Sequence, residues 1–226
     1  MTKAENFCLI WKRSFPISRS MTEIASSPLP NRQRGRPREF DVDAAIDRAI
    51  GVFSERGFHA TSVGDLTEAM ELTQGSLYKA FKDKKDIYIA AVERYKLVQT
   101  KRFEAKVQAG ENGRESLRAA MEFYAGNSAG SSGEQGCLIV GAAADLASLD
   151  VDVARVVRSA IEAREKILAR LVREGQADGS VTGRGDADVL AKTALCLLYG
   201  MRVVGKTGPS REDMSSVVDA AMRIFD

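Results

Sequence analysis

The chain has 226 residues, enough to bury roughly 70% of its unfolded surface in one large domain or two small ones without disulfide or metal staples. Its 44% apolar and 28% charged residues exclude collagen-like, low-complexity and wholly disordered chains. The formal charge of +2 is unevenly spread: residues 1–40 carry a net +5, which leaves −3 on the remainder and points to a polyanion partner for a basic arm.

Residues 1–38 combine Ser, Pro and Arg with little periodicity and read as a flexible basic leader, within which Met21 is a second candidate start. Prolines stand at 16, 28, 30, 37 and 209 only, so the body from Arg38 to Gly208 is free of them and reads as all-α. Val42, Ile46, Ala49, Ile50 and Phe53 stripe a first helix that closes at Gly57 with a left-handed cap. Ser62-Val63-Gly64-Asp65 has capping-box form and opens a short second helix; Thr73 caps a short third that ends near Phe81. A fourth runs from about Lys84 to Gln108. Glycine-rich stretches at 110–113 and 126–136 bracket a fifth helix, and Cys137 to Ser148 reads as a short sixth, buried on most sides because it is almost uncharged. The seventh spans about Val151 to Ala177; the eighth is lined by Leu190, Ala194, Leu197, Leu198, Met201 and Val204, and the ninth by Met214, Val217, Val218, Ala221, Met222 and Phe225. This predicts about nine helices: a helix-turn-helix domain over 39–88 and a ligand-binding and dimerisation domain over 89–226.

The three cysteines, Cys8, Cys137 and Cys196, are odd in number, far apart and in no C-x-x-C arrangement, so neither a disulfide framework nor a zinc ribbon is available. A reducing cytoplasm is the expected compartment, and no cofactor is implied. The most apolar stretch, Thr193 to Met201, falls far short of the roughly 20 residues that span a bilayer.

The chemistry is concentrated in the second and third helices. Their short connection, Met70-Glu71-Leu72, makes a helix-turn-helix pattern. On the outer side of the third helix stand Thr73, Gln74, Ser76 and Lys79. Gln can pair bidentately with adenine, and Ser or Thr can bond base edges or phosphate. Gly75 lets the helix N-terminus approach a duplex, Tyr78 can give its hydroxyl to a phosphate, and Lys84 supplies charge.

Residues Ala49 to Leu66, containing Gly57-Phe58-His59-Ala60-Thr61-Ser62-Val63, together with Leu72-Thr73-Gln74-Gly75-Ser76-Leu77-Tyr78-Lys79-Ala80-Phe81-Lys82-Asp83-Lys84, closely resemble the DNA-binding domain of the TetR family of transcriptional repressors. The resemblance covers about residues 39–88. It implies an all-α, two-domain homodimer that holds a palindromic double-stranded operator and leaves it on binding a small molecule. By position it puts Thr61, Ser62, Thr73, Gln74, Gly75, Ser76, Tyr78, Lys79 and Lys84 at DNA. The charge asymmetry of the leader separately places its Arg32 to Arg38 arm, Arg36 included, along the backbone or minor groove. Three residues depart from the family pattern: Glu71 stands where Gly is usual, Thr67 replaces a small apolar residue, and Ala80 stands where an aromatic or His is common. Glu71 is strained if the turn is left-handed there.

Effector contacts are expected from Phe103, Met121, Tyr124 and Cys137, with Phe123 and Leu138 beside them. No ionisable pair is evident among these residues, so the expected effector is apolar or aromatic. The wide apolar stripes of the last two helices place the dimer interface at Leu197, Met201, Val218 and Met222. The sequence offers three other readings. Gly126-Asn127-Ser128-Ala129-Gly130 matches a hydrolase nucleophile elbow but follows a helix rather than a strand, and the sole histidine, His59, belongs to the helix-turn-helix region, so no catalytic residues are assigned. A pure dimerisation module leaves the Tyr and Lys cluster unexplained. Cys137 as a redox sensor lacks a nearby basic residue in sequence to lower its pKa.

Overall fold

The computed structural model describes residues 40–226, which form one compact unit. The leader, with Cys8 and Arg36, lies outside the described residues. Ten α-helices follow one another: α1 (Val42–Ala60), α2 (Val63–Ala69), α3 (Gln74–Ala80), α4 (Lys84–Val107), α5 (Gly113–Asn127), α6 (Gly130–Gln135), α7 (Leu138–Ala144), α8 (Val151–Asp178), α9 (Ala187–Val204) and α10 (Arg211–Ala221). Single 3₁₀ turns follow α7, α9 and α10. Among the described residues no helix is long and apolar enough to cross a membrane.

Local chemistry sets most of the helix starts. Asp41, Ser62, Thr73, Asp83, Asn112, Asp150, Asp186 and Ser210 each accept a hydrogen bond from a backbone N–H of the first turn, satisfying donors that have no partner within the helix. The predicted capping box at Ser62 forms despite the short reach of aspartate: the Asp65 N–H donates to Ser62 Oγ at 3.1 Å and the Ser62 N–H donates to Asp65 Oδ2 at 2.8 Å. The helical backbone of α1 breaks at Gly57, whose φ of 77° matches the predicted stop, although a further turn continues to Ala60.

Helix α6 occupies a stretch read as glycine punctuation. Its sequence, Gly-Ser-Ser-Gly-Glu-Gln, has low helix propensity, and tertiary packing holds it. A Cβ on Gly133 would stand 2.5 Å from the Ser128 carbonyl oxygen and 2.6 Å from that of Gly205, so only glycine allows this approach. Helix α7 is less enclosed than expected: Cys137, Leu138, Ile139 and Ala142 are buried, while Ala144, Asp145, Ala147 and Ser148 are exposed.

Two hydrophobic clusters organise the molecule. The first gathers Phe53, Leu66, Leu77, Phe81 and Tyr88 from α1 to α4, with Leu138 of α7 and Val153 and Val157 of α8. The second gathers Phe103 and Val107 of α4 with Leu117 and Met121 of α5, Leu168 and Val172 of α8, Leu198 of α9 and Val218 of α10. Helices α4 and α8 contribute to both. Arg94 ties the middle of α4 to α1, pairing with Asp43 at 2.9 Å and with both carboxylate oxygens of Asp47.

Candidate nucleic-acid interface and effector cavity

Helices α2 and α3 meet through a turn in which Glu71 adopts φ 56°. The left-handed strain expected for a non-glycine residue is therefore present. Arg48 of α1 braces the turn, donating to the Met70 carbonyl at 3.3 Å and standing 3.4 Å from the Glu71 carboxylate. Leu77 of α3 is fully buried, which fixes the opposite face outward. Thr73, Gln74, Gly75 and Lys79 are exposed there, and Tyr78 is 49% exposed despite its large ring. Nothing lies within 4 Å of a Cβ built on Gly75, so the space before the helix N-terminus is open. The Thr73 hydroxyl accepts from the Ser76 N–H at 3.2 Å and lies 3.0 Å from Ser76 Oγ, where both remain accessible.

Two residues expected at DNA are engaged elsewhere. Thr61 is only 1% exposed, and its hydroxyl donates to the Gly57 carbonyl at 2.7 Å, closing the end of α1. The Lys84 ammonium donates to the carbonyls of Phe58 and Thr61, both at 2.9 Å, and sits 4.5 Å above the Phe58 ring. These groups frame the reading unit from within. Ser62, by contrast, is exposed at the start of α2, with its hydroxyl held by the capping box. The Ser62 hydroxyl, the Ser62 N–H and Arg56, 2.7 Å away, hold the Asp65 carboxyl below the usual carboxylate range.

The family resemblance extends over most of the described residues. Residues 45–91 match the family model for bacterial regulatory proteins of the tetR family, and residues 113–220 match that for the tetracyclin repressor-like C-terminal domain. The chain is 31% identical to the TetR family transcriptional regulator CifR in a structure complexed with 26-bp double-strand operator DNA, with a TM-score of 0.71, covering 85% of this chain and 100% of that one.

The chain belongs to the TetR family.

It is a DNA-binding transcriptional regulator. It is also 28% identical to the HTH-type transcriptional repressor ComR of Escherichia coli over 88% of this chain and 96% of that protein. The reduced form of E. coli NemR shares the fold, with a TM-score of 0.73 at 21% identity, covering 81% of this chain and 96% of that one.

In this TetR-family regulator a cavity of about 60 Å³ lies where the two hydrophobic clusters meet, among α4, α5, α7, α8 and α9. A second, of about 270 Å³, adjoins it and shares Tyr95, Gln99, Asn127 and Arg202. Tyr124, Cys137 and Phe123 line the first cavity, and Tyr95 donates its hydroxyl to Cys137 Sγ at 3.2 Å. Phe103, Met121 and Leu138 are core residues outside its wall.

Charged groups stand in the wall beyond the residues considered from the sequence: Arg164 of α8 and Arg202 of α9 both line the cavity and are only 8% and 5% exposed. A sequence signal for them existed. Arg164 continues the buried stripe of Val157, Ala160 and Leu168, and Arg202 that of Ala191, Leu195 and Leu198.

The expected dimer contacts are also corrected. Met201, Val218 and Met222 are buried within their own chain, and Leu197 is half-buried against the second cluster. What α9 exposes instead is Val189, Thr193, Cys196, Gly200, Val203 and Val204, a mostly small and apolar face at helical spacing; α10 exposes Val217. The Ser128 of the elbow-like motif is fully buried, its hydroxyl donating to the Tyr124 carbonyl at 2.7 Å, and lies at the end of a helix. His59 is exposed and lies 3.1 Å from Ser148 Oγ.

Proposed function

We propose that the protein is a homodimeric repressor whose α3 enters the major groove of a pseudo-palindromic operator and whose hold on DNA is released by a small molecule in the cavity beside α4. The observation that carries this reading is the outward face of α3: Gln74, Gly75, Tyr78 and Lys79 stand exposed on a helix whose buried Leu77 anchors it. Such a face supplies base-edge donors and acceptors, a phosphate-seeking hydroxyl and a cation together. Ser62, Thr73 and Ser76 add hydroxyls at the two helix starts, and Arg36 of the leader adds charge. That CifR, to which the chain is 31% identical, forms a complex with double-strand operator DNA supports a DNA-binding role.

Residues 39–88 serve as the reading domain in this proposal and 89–226 as the sensing and pairing domain. Dimerisation uses the exposed face of α9 with Val217 of α10, which brings two reading helices about one DNA turn apart, roughly 34–36 Å. Helix α4 couples the two functions: its first turn is fixed to the end of α1 by Lys84, and its middle, at Tyr95 and Gln99, forms a cavity wall. A ligand that prefers one separation of the reading helices weakens DNA binding by the factor with which DNA weakens ligand binding.

Sequencing genomic fragments retained by the purified protein tests the reading. One enriched pseudo-palindrome, protected in footprints and lost in Gln74→Ala with Tyr78→Phe, is the expected result. Random fragments retained equally by the wild type and the double variant would remove α3 from the interface.

A further inference from the structure

Two buried arginines line the cavity beside α4 without an anion, whereas Lys96, also in its wall, pairs with Glu93 at 3.4 Å. Arg164 stacks its guanidinium 3.7 Å from the centre of the Phe103 ring, and Arg202 donates from one terminal nitrogen to the Gly136 carbonyl, with the Ser132 carbonyl at 3.5 Å. Each leaves its Nη1 buried and without a hydrogen-bond partner among the described residues. No carboxylate among the described residues lies within ion-pair distance of either group, and neither Asp nor Glu lines the first cavity. A buried guanidinium has five donors and a charge to satisfy, and each orphan is costly.

Apart from Lys96, the other polar side chains of the wall include the amides of Gln99 and Asn127, the Thr100 hydroxyl and three phenols. Burial pushes the Tyr124 phenol up to about 12 against the opposing pull of Arg164, and pushes those of Tyr95 and Tyr199 well above their ordinary value. No phenolate balances the arginines near neutral pH. The rest of the wall is apolar, from Phe123, Ile139 and the tyrosine rings.

We propose that the effector is a small organic acid whose carboxylate is taken by Arg164 and Arg202 and whose apolar or aromatic body lies against Phe123, Tyr124 and Tyr199. The proposal deepens the effector reading above and rests on it. It adds an acidic group to the apolar or aromatic molecule expected from the sequence. Pairing with a carboxylate gives both guanidinium groups charge-assisted hydrogen bonds in a site largely removed from water, where these are strongest. About 60 Å³ suits a carboxylate with a short substituent; the adjoining 270 Å³, which shares Arg202 but is lined by Asp47, Ser54, Arg102 and Gln135, suits only a polar extension. Because Tyr95 and Gln99 belong to both walls, the acid would bear directly on α4.

The test uses the full chain, a panel of sodium acetate, butyrate, benzoate and phenylacetate, and the four matching amides. At least one acid should raise the melting temperature and bind at least tenfold more tightly than its amide. Arg164→Met and Arg202→Met should fold, retain operator binding and lose that preference. Should a Met variant fail to fold, Arg164→Lys and Arg202→Lys keep the charge but lose the planar fork, and should bind the acid more weakly than the wild type. The proposal is overturned if every amide binds as well as its acid, if the folded variants bind the acid as the wild type does, or if only inorganic phosphate or sulfate shifts the melting temperature. An acid that binds yet leaves the operator complex intact supports the anion site and removes the release mechanism. Operator release by an amide with no binding of any acid does the reverse.

Discussion

The Lys84 ammonium lies 4.5 Å over the ring of Phe58 while donating to the carbonyl of that same residue at 2.9 Å. With its second bond, to the Thr61 carbonyl, it closes the junction of α1, α2 and α4. Lys84→Met should therefore lower stability by about 1–3 kcal/mol, because it strands two carbonyls in a partly buried junction. Lys79→Met on exposed α3 should leave stability within about 0.5 kcal/mol of the wild type and reduce the salt dependence of operator binding by about one phosphate contact. Urea unfolding and binding titrations over a range of salt separate the two roles.

Gly75 is exposed in the first turn of α3 with open space before it. Replacing Gly with Ala in an exposed helix gains up to about 1 kcal/mol of helix propensity. Gly75→Ala should then raise the melting temperature slightly and weaken operator binding, since the added methyl occupies the space that a duplex would enter. Opposite signs for stability and affinity are the diagnostic outcome; affinity unchanged in a stabilised variant would show that DNA does not approach this turn.

The outward face of α9 predicts which substitutions divide the dimer. Val203→Glu and Gly200→Glu should yield folded monomers in sedimentation, because both positions are exposed in the single chain. Val218→Glu should instead unfold the chain, as it buries an unpaired carboxylate in the second cluster. Folded dimers from both α9 variants would relocate the interface.

Asp65 gives the reading domain an acid sensitivity of known sign. Its carboxyl is held below the ordinary value, chiefly by the hydrogen bond from the Ser62 hydroxyl, then by the Ser62 N–H, with Arg56 contributing less. A carboxyl whose pKa is lowered on folding contributes stability that is present above its unfolded pKa and lost as pH falls through the folded value. Ser62→Ala should raise the Asp65 pKa, measured by NMR titration, and narrow the gap in stability between pH 6 and pH 3.

Local interactions made much of this protein legible in its sequence. A capping side chain and its target N–H are three residues apart or fewer, so Ser62, Thr73 and Asp83 announce α2, α3 and α4 without reference to the rest of the chain. Apolar spacing likewise located the long helices and the outward face of α3, because the buried Leu77 sets the register of Gln74, Tyr78 and Lys79. The decisions left to tertiary structure are those made by residues distant in sequence. Helix α6 exists because Gly133 meets the carbonyls of Ser128 and Gly205, an approach that no propensity encodes. Thr61 and Lys84 became framework because α1 ends beside α4, which brings their polar groups to backbone carbonyls rather than to solvent. Apolar stripes on α9 and α10 do not distinguish a chain's own core from a partner, so packing alone assigned Met201, Val218 and Met222 to the interior and left Val203 and Val204 outside. Arg164 and Arg202 show the same division: helical register turns them inward, but only the convergence of α4, α5, α7, α8 and α9 encloses two unpaired cations around one cavity.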